Sequence, residues 1–271
     1  MSVCAERIRK GSFERAFQLL GNFAFMKDNF SRQSELYAKY RPDYPRPLFD
    51  FILNHVKGRD AAWDCGTGNG QTARELAKYF KKIFATDISE KQIQKGYQAE
   101  NIFYSVQSAE QTNFEDNFFD LVTVSQALHW FSFNEFYAEV KRVTKPGGWI
   151  AVWTYTLPSI SPGIDELVQV KLYKEVLGSY WDYERRLVDE KYATIPFPFN
   201  EILCPVFKMY FEWTLEELIG YTNTWSALQK FVAVNSFNPA DALKKQIAPH
   251  WIGEKMTISF PIYLRMGQVA K

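Results

Sequence analysis

Residues 61–71 read Ala61-Ala62-Trp63-Asp64-Cys65-Gly66-Thr67-Gly68-Asn69-Gly70-Gln71. This stretch predicts a short apolar strand that ends in an acid, a turn with glycine at alternate positions, and a helix that begins at residue 71. Glycines let the backbone turn sharply and approach a ligand without a Cβ in the way. The stretch therefore predicts a βα turn that holds a small molecule, although an ordinary tight turn would show the same three glycines.

The loop differs from a dinucleotide-binding loop. In the GxGxxG pattern the third glycine packs the helix against the strand, and the pyrophosphate lies at the helix N-terminus. Here the third glycine falls one position early, and Gln71 stands where GxGxxG has its last glycine. Asp64 beside the loop would also repel a pyrophosphate, whereas it suits a cationic amino group. An NAD-dependent oxidoreductase is therefore a lower-ranked alternative.

Two further segments fit a nucleoside that lies along the strand ends. Asp87 ends the next predicted strand, 17 residues after Gly70, and a carboxylate there can accept both ribose hydroxyls. The alternative role for Asp87 is a helix N-cap, which Ser89 can also provide. Residues 108–110 follow the third strand, where an adenine edge would lie, although Glu110 equally suits the first turn of a helix.

The fourth predicted strand, 119–125, runs directly into Gln126, Ala127, Leu128, His129, Trp130 and Phe131. Ligands bind at the carboxyl ends of parallel strands, so these residues are expected at the reaction centre. His129 is the candidate base for a hydroxyl, amine or acidic carbon acceptor, because its ordinary pKa lies near neutrality. A histidine followed by Trp130 and Phe131 is more often a packed residue, and both roles stay open.

The pattern over the whole chain predicts one α/β domain spanning residues 1–271 with a doubly wound sheet. Apolar strands alternate with helices, which is typical of parallel βαβ units. The predicted strands are 60–65, 82–87, 101–105, 119–125, 148–155, 202–213 and 256–266. The predicted helices are 70–80, 89–97, 133–143, 215–232 and 239–247, with a helical stretch at 163–180 and an irregular one at 185–200. We interpret 1–30 as an N-terminal segment, 31–155 as the ligand-binding core, 156–200 as an inserted helical lid and 201–271 as the closing strands and helices.

Charge and composition favour a small-molecule partner. Lys and Arg total 32 against 31 Asp and Glu, so the protein lacks the global charge that draws proteins to nucleic acid or anionic membranes. No apolar run reaches the roughly 20 residues that span a bilayer. Cys4, Cys65 and Cys204 are widely spaced, which argues against disulfides and for a reducing, cytoplasmic compartment. We also predict no metal site, and a monomer or homodimer.

As an ordered set, these motifs resemble the class I S-adenosylmethionine (SAM)-dependent methyltransferases with a methyltransferase type 11 domain. The resemblance covers roughly residues 30–155 and rests on residues 64–70, Asp87, 108–110, 119–122 and 145–148. It implies a seven-stranded, mostly parallel sheet of order 3-2-1-4-5-7-6 with the seventh strand antiparallel. SAM would be the cofactor and S-adenosylhomocysteine the product.

The resemblance also implies which residues hold SAM. Asp64, Gly66 and Gly68 would surround the methionine part, Asp87 the ribose and Ala109 the adenine, with Gln126 near the methionine amino end. Tyr37 and Arg41 would close the N-terminal segment over the cofactor. The full implied set is Tyr37, Arg41, Asp64, Gly66, Thr67, Gly68, Asp87, Ile88, Ser108, Ala109, Glu110 and Gln126.

A closer likeness is to the trans-aconitate methyltransferase branch known from yeast, which methyl-esterifies small carboxylic acids. It rests on residues 40–45, 129–131, 180–181 and 224–227. An ionised carboxylate needs no base at pH 7, only groups that position it. The acceptor-side candidates are His129, Trp130, Tyr180, Arg185, Tyr192 and Trp225. The alternatives are a hydroxyl, amine or macromolecular acceptor, and a SAM-binding protein without catalysis.

Overall fold

The computed structural model describes residues 43–270. Within this range eight strands form one sheet, and helices cover both of its faces. The strands are β1 (Ala61–Cys65), β2 (Lys82–Asp87), β3 (Ile102–Val106), β4 (Phe119–Ser125), β5 (Thr144–Tyr155), β6 (Asn200–Ile202), β7 (Val206–Trp213) and β8 (Met256–Gln268). The α-helices are α1 (Arg46–His55), α2 (Gln71–Leu76), α3 (Glu90–Ile93), α4 (Phe133–Val143), α5 (Pro162–Asp165), α6 (Arg185–Asp189), α7 (Leu215–Thr222), α8 (Ser226–Asn235) and α9 (Pro239–Ile247).

The sheet has the order β3-β2-β1-β4-β5-β8-β6, and β7 also pairs with β8. The first five strands are parallel, and β8 runs antiparallel to β5, β6 and β7. The α/β class and the predicted order are confirmed. Strand β8 takes the place of the predicted seventh strand, and β6 and β7 together take the place of the predicted sixth.

The sheet has one strand more than the seven predicted, because the predicted strand 202–213 is interrupted after Ile202, and a separate strand, β6, covers residues 200–202. Pro205 lies in the gap between Ile202 and Val206, and proline has no N–H to donate to a ladder. Both pieces still pair with β8, since Ile202 lies opposite Met266 and Val206 lies opposite Tyr263. The long last strand therefore has two short strands along one side.

Strand β1 lies at the centre of the molecule, with all five residues buried. Its side chains alternate between the two faces, as strand geometry requires. Ala62 belongs to one apolar cluster with Leu48 and Ile52 of α1. Trp63 belongs to the other, with Phe136 of α4. Burial on both faces explains why the strand reads as a continuous apolar run.

The predicted helical stretch 163–180 is confirmed as helical, but most of it is a π-helix, whose turns are wider than those of an α-helix. After α5, residues Glu166–Val176 form a π-helix, and a 3₁₀ turn follows at Gly178–Tyr180. The bond from the Leu177 N–H to the Leu172 carbonyl, 2.9 Å, shows the five-residue spacing. Such π-helices are rare and frequently occur at functional sites.

Other predicted boundaries need correction. Residues 185–200 are not wholly irregular, since α6 lies there. The single helix expected at 215–232 is two helices, because the Thr222 and Thr224 hydroxyls donate to the Ile219 and Tyr221 carbonyls at 2.8 and 2.7 Å. These bonds satisfy carbonyls at the end of α7 and support a turn there. Helices α2 and α3 are shorter than the predicted 70–80 and 89–97.

Candidate functional site

The glycine loop connects β1 to α2, and its three glycines have positive φ angles of +66°, +57° and +84°. A Cβ at Gly66 would lie 2.6 Å from the Ala127 Cβ, and one at Gly70 would overlap the Tyr104 Oη. A Cβ at Gly68 would meet no atom of residues 43–270 within 4 Å. The loop is therefore tightly packed at its two ends and open at its centre, which fits a ligand that approaches the Gly68 backbone closely.

Asp64 lies beneath this loop with its side chain fully buried. Its carboxylate accepts hydrogen bonds from the Thr67 hydroxyl and, at 2.9 Å, from the Thr123 hydroxyl of β4. Burial raises the pKa of Asp64 to about 6, although both hydroxyls oppose the shift. Asp64 thus ties the loop to the neighbouring strand, and its predicted place beside a methionine amino group stays a prediction.

Asp87 is not the N-cap of α3, because that position is Ser89, and its ribose-binding role stays a prediction. One carboxylate oxygen accepts the Gly68 N–H at 2.9 Å, and the other accepts the Ser89 N–H at 2.8 Å. Burial raises the pKa of Asp87, and these backbone donors oppose the shift. Each oxygen has a further lone pair for a hydroxyl, and Ile88 beside it is 40% exposed. The geometry fits a ribose over the loop.

The segment expected to contact adenine is a loop that precedes β4. Ala109 is buried, and the Ser108 hydroxyl donates to Glu110. Glu110 is not in the first turn of a helix of its own, since residues 107–118 form no helix. Its carboxylate instead accepts the Ser132 N–H at 3.0 Å, at the N-terminus of α4. The helix dipole favours an acid there, so the loop is anchored to α4.

Gln126 lies at the carboxyl end of β4 with a positive φ of +55°. Its side-chain oxygen accepts the Thr154 hydroxyl at 2.6 Å and the Tyr155 N–H at 3.0 Å. Its own N–H donates to the Trp153 carbonyl at 2.9 Å. A backbone contact from Gln126 to the methionine end of SAM would therefore use its carbonyl oxygen.

His129 follows on a short 3₁₀ turn and is buried. Its Nδ1 lies 2.7 Å from the hydroxyl of Tyr192, and its ring lies 4.8 Å from that of Trp130. Burial raises the pKa of Tyr192, while hydrogen bonds from the His129 and Leu128 backbone and the Thr154 side chain oppose the shift. This pair joins the lid to the end of β4, although 63 positions separate the two residues.

Arg185 and Trp225 meet in an aromatic cluster on the lid side. The guanidinium lies 5.0 Å from the Trp181 ring and 5.4 Å from the Tyr173 ring. Trp225 lies 5.7 Å from Tyr173 and 5.8 Å from Trp181. Sequence reasoning missed Tyr173, which holds this cluster together, because the π-helix that presents it leaves no distinct pattern in the sequence.

Tyr180 does not join this cluster. Its ring packs 5.1 Å from that of Phe231, and its hydroxyl accepts a hydrogen bond from Asn235 at 2.9 Å. Both partners belong to α8, so Tyr180 fastens the lid to that helix. The structure thus separates Tyr180 from Arg185 and Trp225, with which the sequence grouped it.

The remaining predictions concern the N-terminal segment, metal binding and membrane-spanning helices. Tyr37 and Arg41 lie outside the described residues. Over residues 43–270, no three or more His, Cys, Asp and Glu side chains are grouped so that they could hold a metal ion. No helix in the same range is both long and apolar enough to cross a bilayer.

The family model described as a methyltransferase domain matches residues 63–152, from β1 to β5. A Dictyostelium discoideum protein named as a methyltransferase is 31% identical over 249 residues, which cover 89% of this chain and 95% of that protein. An uncharacterized methyltransferase-like protein of Schizosaccharomyces pombe is 28% identical over 203 residues, with 72% and 76% covered.

A solved structure shows the same relationship in three dimensions. A protein from Anaeromyxobacter dehalogenans, described as a type II methyltransferase, superposes with a TM-score of 0.79 at 33% identity. The match covers 85% of this chain and 98% of that one. None of these three relatives is described with an acceptor. The sheet order, the open glycine loop and these relatives together show that the chain belongs to the class I methyltransferases and is a SAM-dependent methyltransferase.

Proposed function

We propose that this enzyme methylates a carboxylate oxygen of a small di- or tricarboxylic acid of the trans-aconitate type, with Arg185 holding a second carboxylate of the same molecule. The observation that carries the proposal is the set of contacts around the Arg185 guanidinium. An arginine fork binds a carboxylate through two parallel hydrogen bonds. Bound in this way, a carboxylate is a poorer nucleophile, so the group that is methylated must be a different one.

Only one edge of the guanidinium is engaged. Its Nε donates to the Tyr173 hydroxyl at 2.8 Å and lies 3.5 Å from an Asp189 oxygen. No described residue accepts a hydrogen bond from the two terminal nitrogens, and the side chain is 22% exposed. The aromatic rings on its flanks fix its orientation. The terminal fork is therefore available to a ligand.

The charged neighbour of Arg185 lies on the Nε side of the guanidinium. Asp189 is the acidic neighbour, and its carboxylate is also bonded by the Tyr173 hydroxyl at 2.8 and 2.9 Å. The Tyr173 phenol therefore lies between the two charges and donates to the acid while it accepts from Arg185. This arrangement orients the guanidinium through its Nε, and leaves the opposite edge for a carboxylate.

Arg185 lies within electrostatic reach of the end of β4. Its charge acts on the buried phenol of Tyr192, whose pKa it lowers against the larger effect of burial. Tyr192 in turn bonds His129 at 2.7 Å. An acid held by Arg185 would thus extend toward the residues that follow β4, where class I folds bring ligands together.

Methyl transfer further requires that the acceptor be aligned with the methyl group and that water be excluded. SAM, when bound, supplies a methyl group already activated on a sulfonium. The open space at Gly68 and the Asp87 carboxylate fit its main body and ribose. The acceptor carboxylate is ionised at neutral pH, so no protein base is required. His129 and Tyr192 would then act as a fixed polar wall beside the acceptor.

The test measures S-adenosylhomocysteine release by the full chain with tricarboxylic, dicarboxylic and monocarboxylic acids. We expect turnover of the acids with two or more carboxylates and little turnover of matched monoacids. Loss of one charge-assisted pair costs about 1.5–3 kcal/mol, so Arg185→Gln should raise KM about 10- to 100-fold with a smaller change in kcat. SAM affinity should stay unchanged.

The matched control is Arg186→Gln on the same helix. Arg186 is 47% exposed, pairs with Glu190 at 3.7 Å and lies over the Tyr183 ring, so we expect no change in KM. Turnover of amines or alcohols that lack a carboxylate would contradict the proposal, as would an unchanged KM in Arg185→Gln. SAM binding without turnover of any acceptor would favour a non-catalytic SAM-binding protein.

A further inference from the structure

Strand β7 leaves one edge of the sheet open. It pairs along its length with β8, from Val206 opposite Tyr263 to Trp213 opposite Met256, and with no other strand of residues 43–270. The strand has eight residues and contains no proline. An open edge presents unpaired N–H and C=O groups that pair readily with another strand, so proteins usually shield it.

The two faces of β7 differ in polarity. The outward face carries the exposed side chains of Val206, Lys208, Tyr210 and Glu212, with Tyr210 63% and Val206 56% exposed. Lys208 forms no hydrogen bond or ion pair with any residue in the described part of the chain. Glu212 accepts the Thr257 hydroxyl at 2.6 Å. One cation and one anion therefore flank an exposed aromatic ring at equal distances.

We propose that β7 pairs antiparallel with β7 of a second copy of this chain, about a two-fold axis that passes beside Tyr210. In this register Lys208 lies opposite the partner subunit's Glu212, and Glu212 lies opposite the partner subunit's Lys208. Tyr210 faces its own copy. Opposite charges and aromatic pairs directly across two strands stabilise a sheet, and a two-fold axis makes one patch complementary to itself.

The charges select this register over its neighbours. A two-fold axis beside Lys208 would place lysine against lysine, and one beside Glu212 would place glutamate against glutamate. An axis beside residue 209 or 211 would leave both charges opposite uncharged side chains. Only the register centred on Tyr210 pairs every charge on the outward face of β7.

The inner face of β7 also suits this pairing. In the same register Phe207 lies opposite the partner subunit's Trp213, and Met209 opposite the partner subunit's Phe211. Phe207 and Phe211 are only partly buried within one chain. Pairing would cover their exposed edges and continue the apolar layer of one sheet into the other, which removes apolar surface from water.

The first experiment measures the mass of the full chain in solution by size exclusion with light scattering. We expect twice the 31.6 kDa of one chain. Lys208→Glu and Glu212→Lys should each weaken the dimer roughly tenfold or more, because each creates two like-charge pairs across the axis. The double variant Lys208→Glu/Glu212→Lys restores both opposite pairs and should dimerise as the wild type does. Glu254→Lys, at an exposed turn outside β7, is the control and should change nothing.

The second experiment fixes the register. Opposed Cα atoms in antiparallel strands lie about 4.5–5.5 Å apart, which a disulfide spans. Tyr210→Cys should therefore form a cross-linked dimer on mild oxidation, whereas Val234→Cys, 72% exposed on α8, should not. A monomer at all concentrations would overturn the proposal, and so would a dimer that neither charge reversal weakens. Neither readout depends on the methyl acceptor.

Discussion

The glycine loop and the lid cluster, which is the aromatic cluster of Tyr173, Trp181, Arg185 and Trp225, are held together in different ways. The loop holds its shape through backbone geometry, because Gly66 and Gly70 pack where no side chain fits. The lid cluster depends on side chains, such as Tyr173 and Arg185, that come from separate short helices. On the proposed function, a change in the lid would alter the acceptor without disturbing the sheet.

The largest effect should come from Gly66→Ala. The new Cβ would lie 2.6 Å from Ala127 and 3.2 Å from the Phe131 ring, at a φ of +66°. Left-handed strain of about 1–2 kcal/mol adds to overpacking of about 1–3 kcal/mol. We expect a loss of about 4 kcal/mol in unfolding free energy, measured by urea denaturation, together with loss of SAM binding.

Gly68→Ala is the matched variant, because its Cβ meets no atom within 4 Å in the described part of the chain. Its unfolding free energy should fall by only about 1–2 kcal/mol, the cost of left-handed strain. Its affinity for SAM should nevertheless fall tenfold or more in calorimetry. If Gly68→Ala binds SAM as well as the wild type, the open side of the loop does not face the cofactor.

The next effect concerns pH. Asp64 has a pKa of about 6 in the folded protein against an ordinary value of 3.8. Between these two pH values the folded state keeps a proton that the unfolded state has released, so stability falls as pH rises. The difference corresponds to about 3 kcal/mol. Asp64→Asn carries no charge, and should therefore gain stability relative to the wild type between pH 4 and pH 7.

This difference is measured by denaturation of both proteins across that pH range. Asp87, whose pKa is also raised, is present in both proteins, and its charge is the smallest of the effects on the pKa of Asp64, so most of its contribution cancels. A difference between the two proteins that is constant with pH would show that Asp64 titrates at its ordinary value. The lid phenols Tyr173 and Tyr192 have raised pKa values and do not titrate here, so the pH effect belongs to the loop.

A smaller effect is expected from Tyr192→Phe in the lid. It removes the hydroxyl that lies 2.7 Å from the His129 Nδ1 and leaves a buried imidazole nitrogen without this partner. We expect a loss of about 1–2 kcal/mol in stability and a reduced kcat/KM. Because a carboxylate acceptor needs no base, the shape of the pH–rate profile should not change. A shifted acidic limb would instead indicate that His129 acts as a base.

The contrast between the glycine loop and the lid cluster also explains which features the sequence could predict. Strand β1, the glycine loop and the acid at Asp87 form from neighbours along the chain, so local pattern predicted them. The break between β6 and β7 has a local signal in Pro205, which the apolar run 202–213 obscured. The wide turns of Glu166–Val176 have no such signal, because they depend on packing of the finished lid. The Tyr173 and Asp189 contacts to Arg185 arise only after those helices meet.

The position of β8 has a consequence for how the chain assembles. Its residues 256–268 form the ladder between β5 on one side and β6 with β7 on the other. Ribosomal synthesis proceeds from the N-terminus, so β5, β6 and β7 all emerge before the strand that joins them. The growing polypeptide therefore carries three unpaired strand edges until its last strand arrives. During that interval it is exposed to wrong pairing and aggregation, and a chaperone would be of most use.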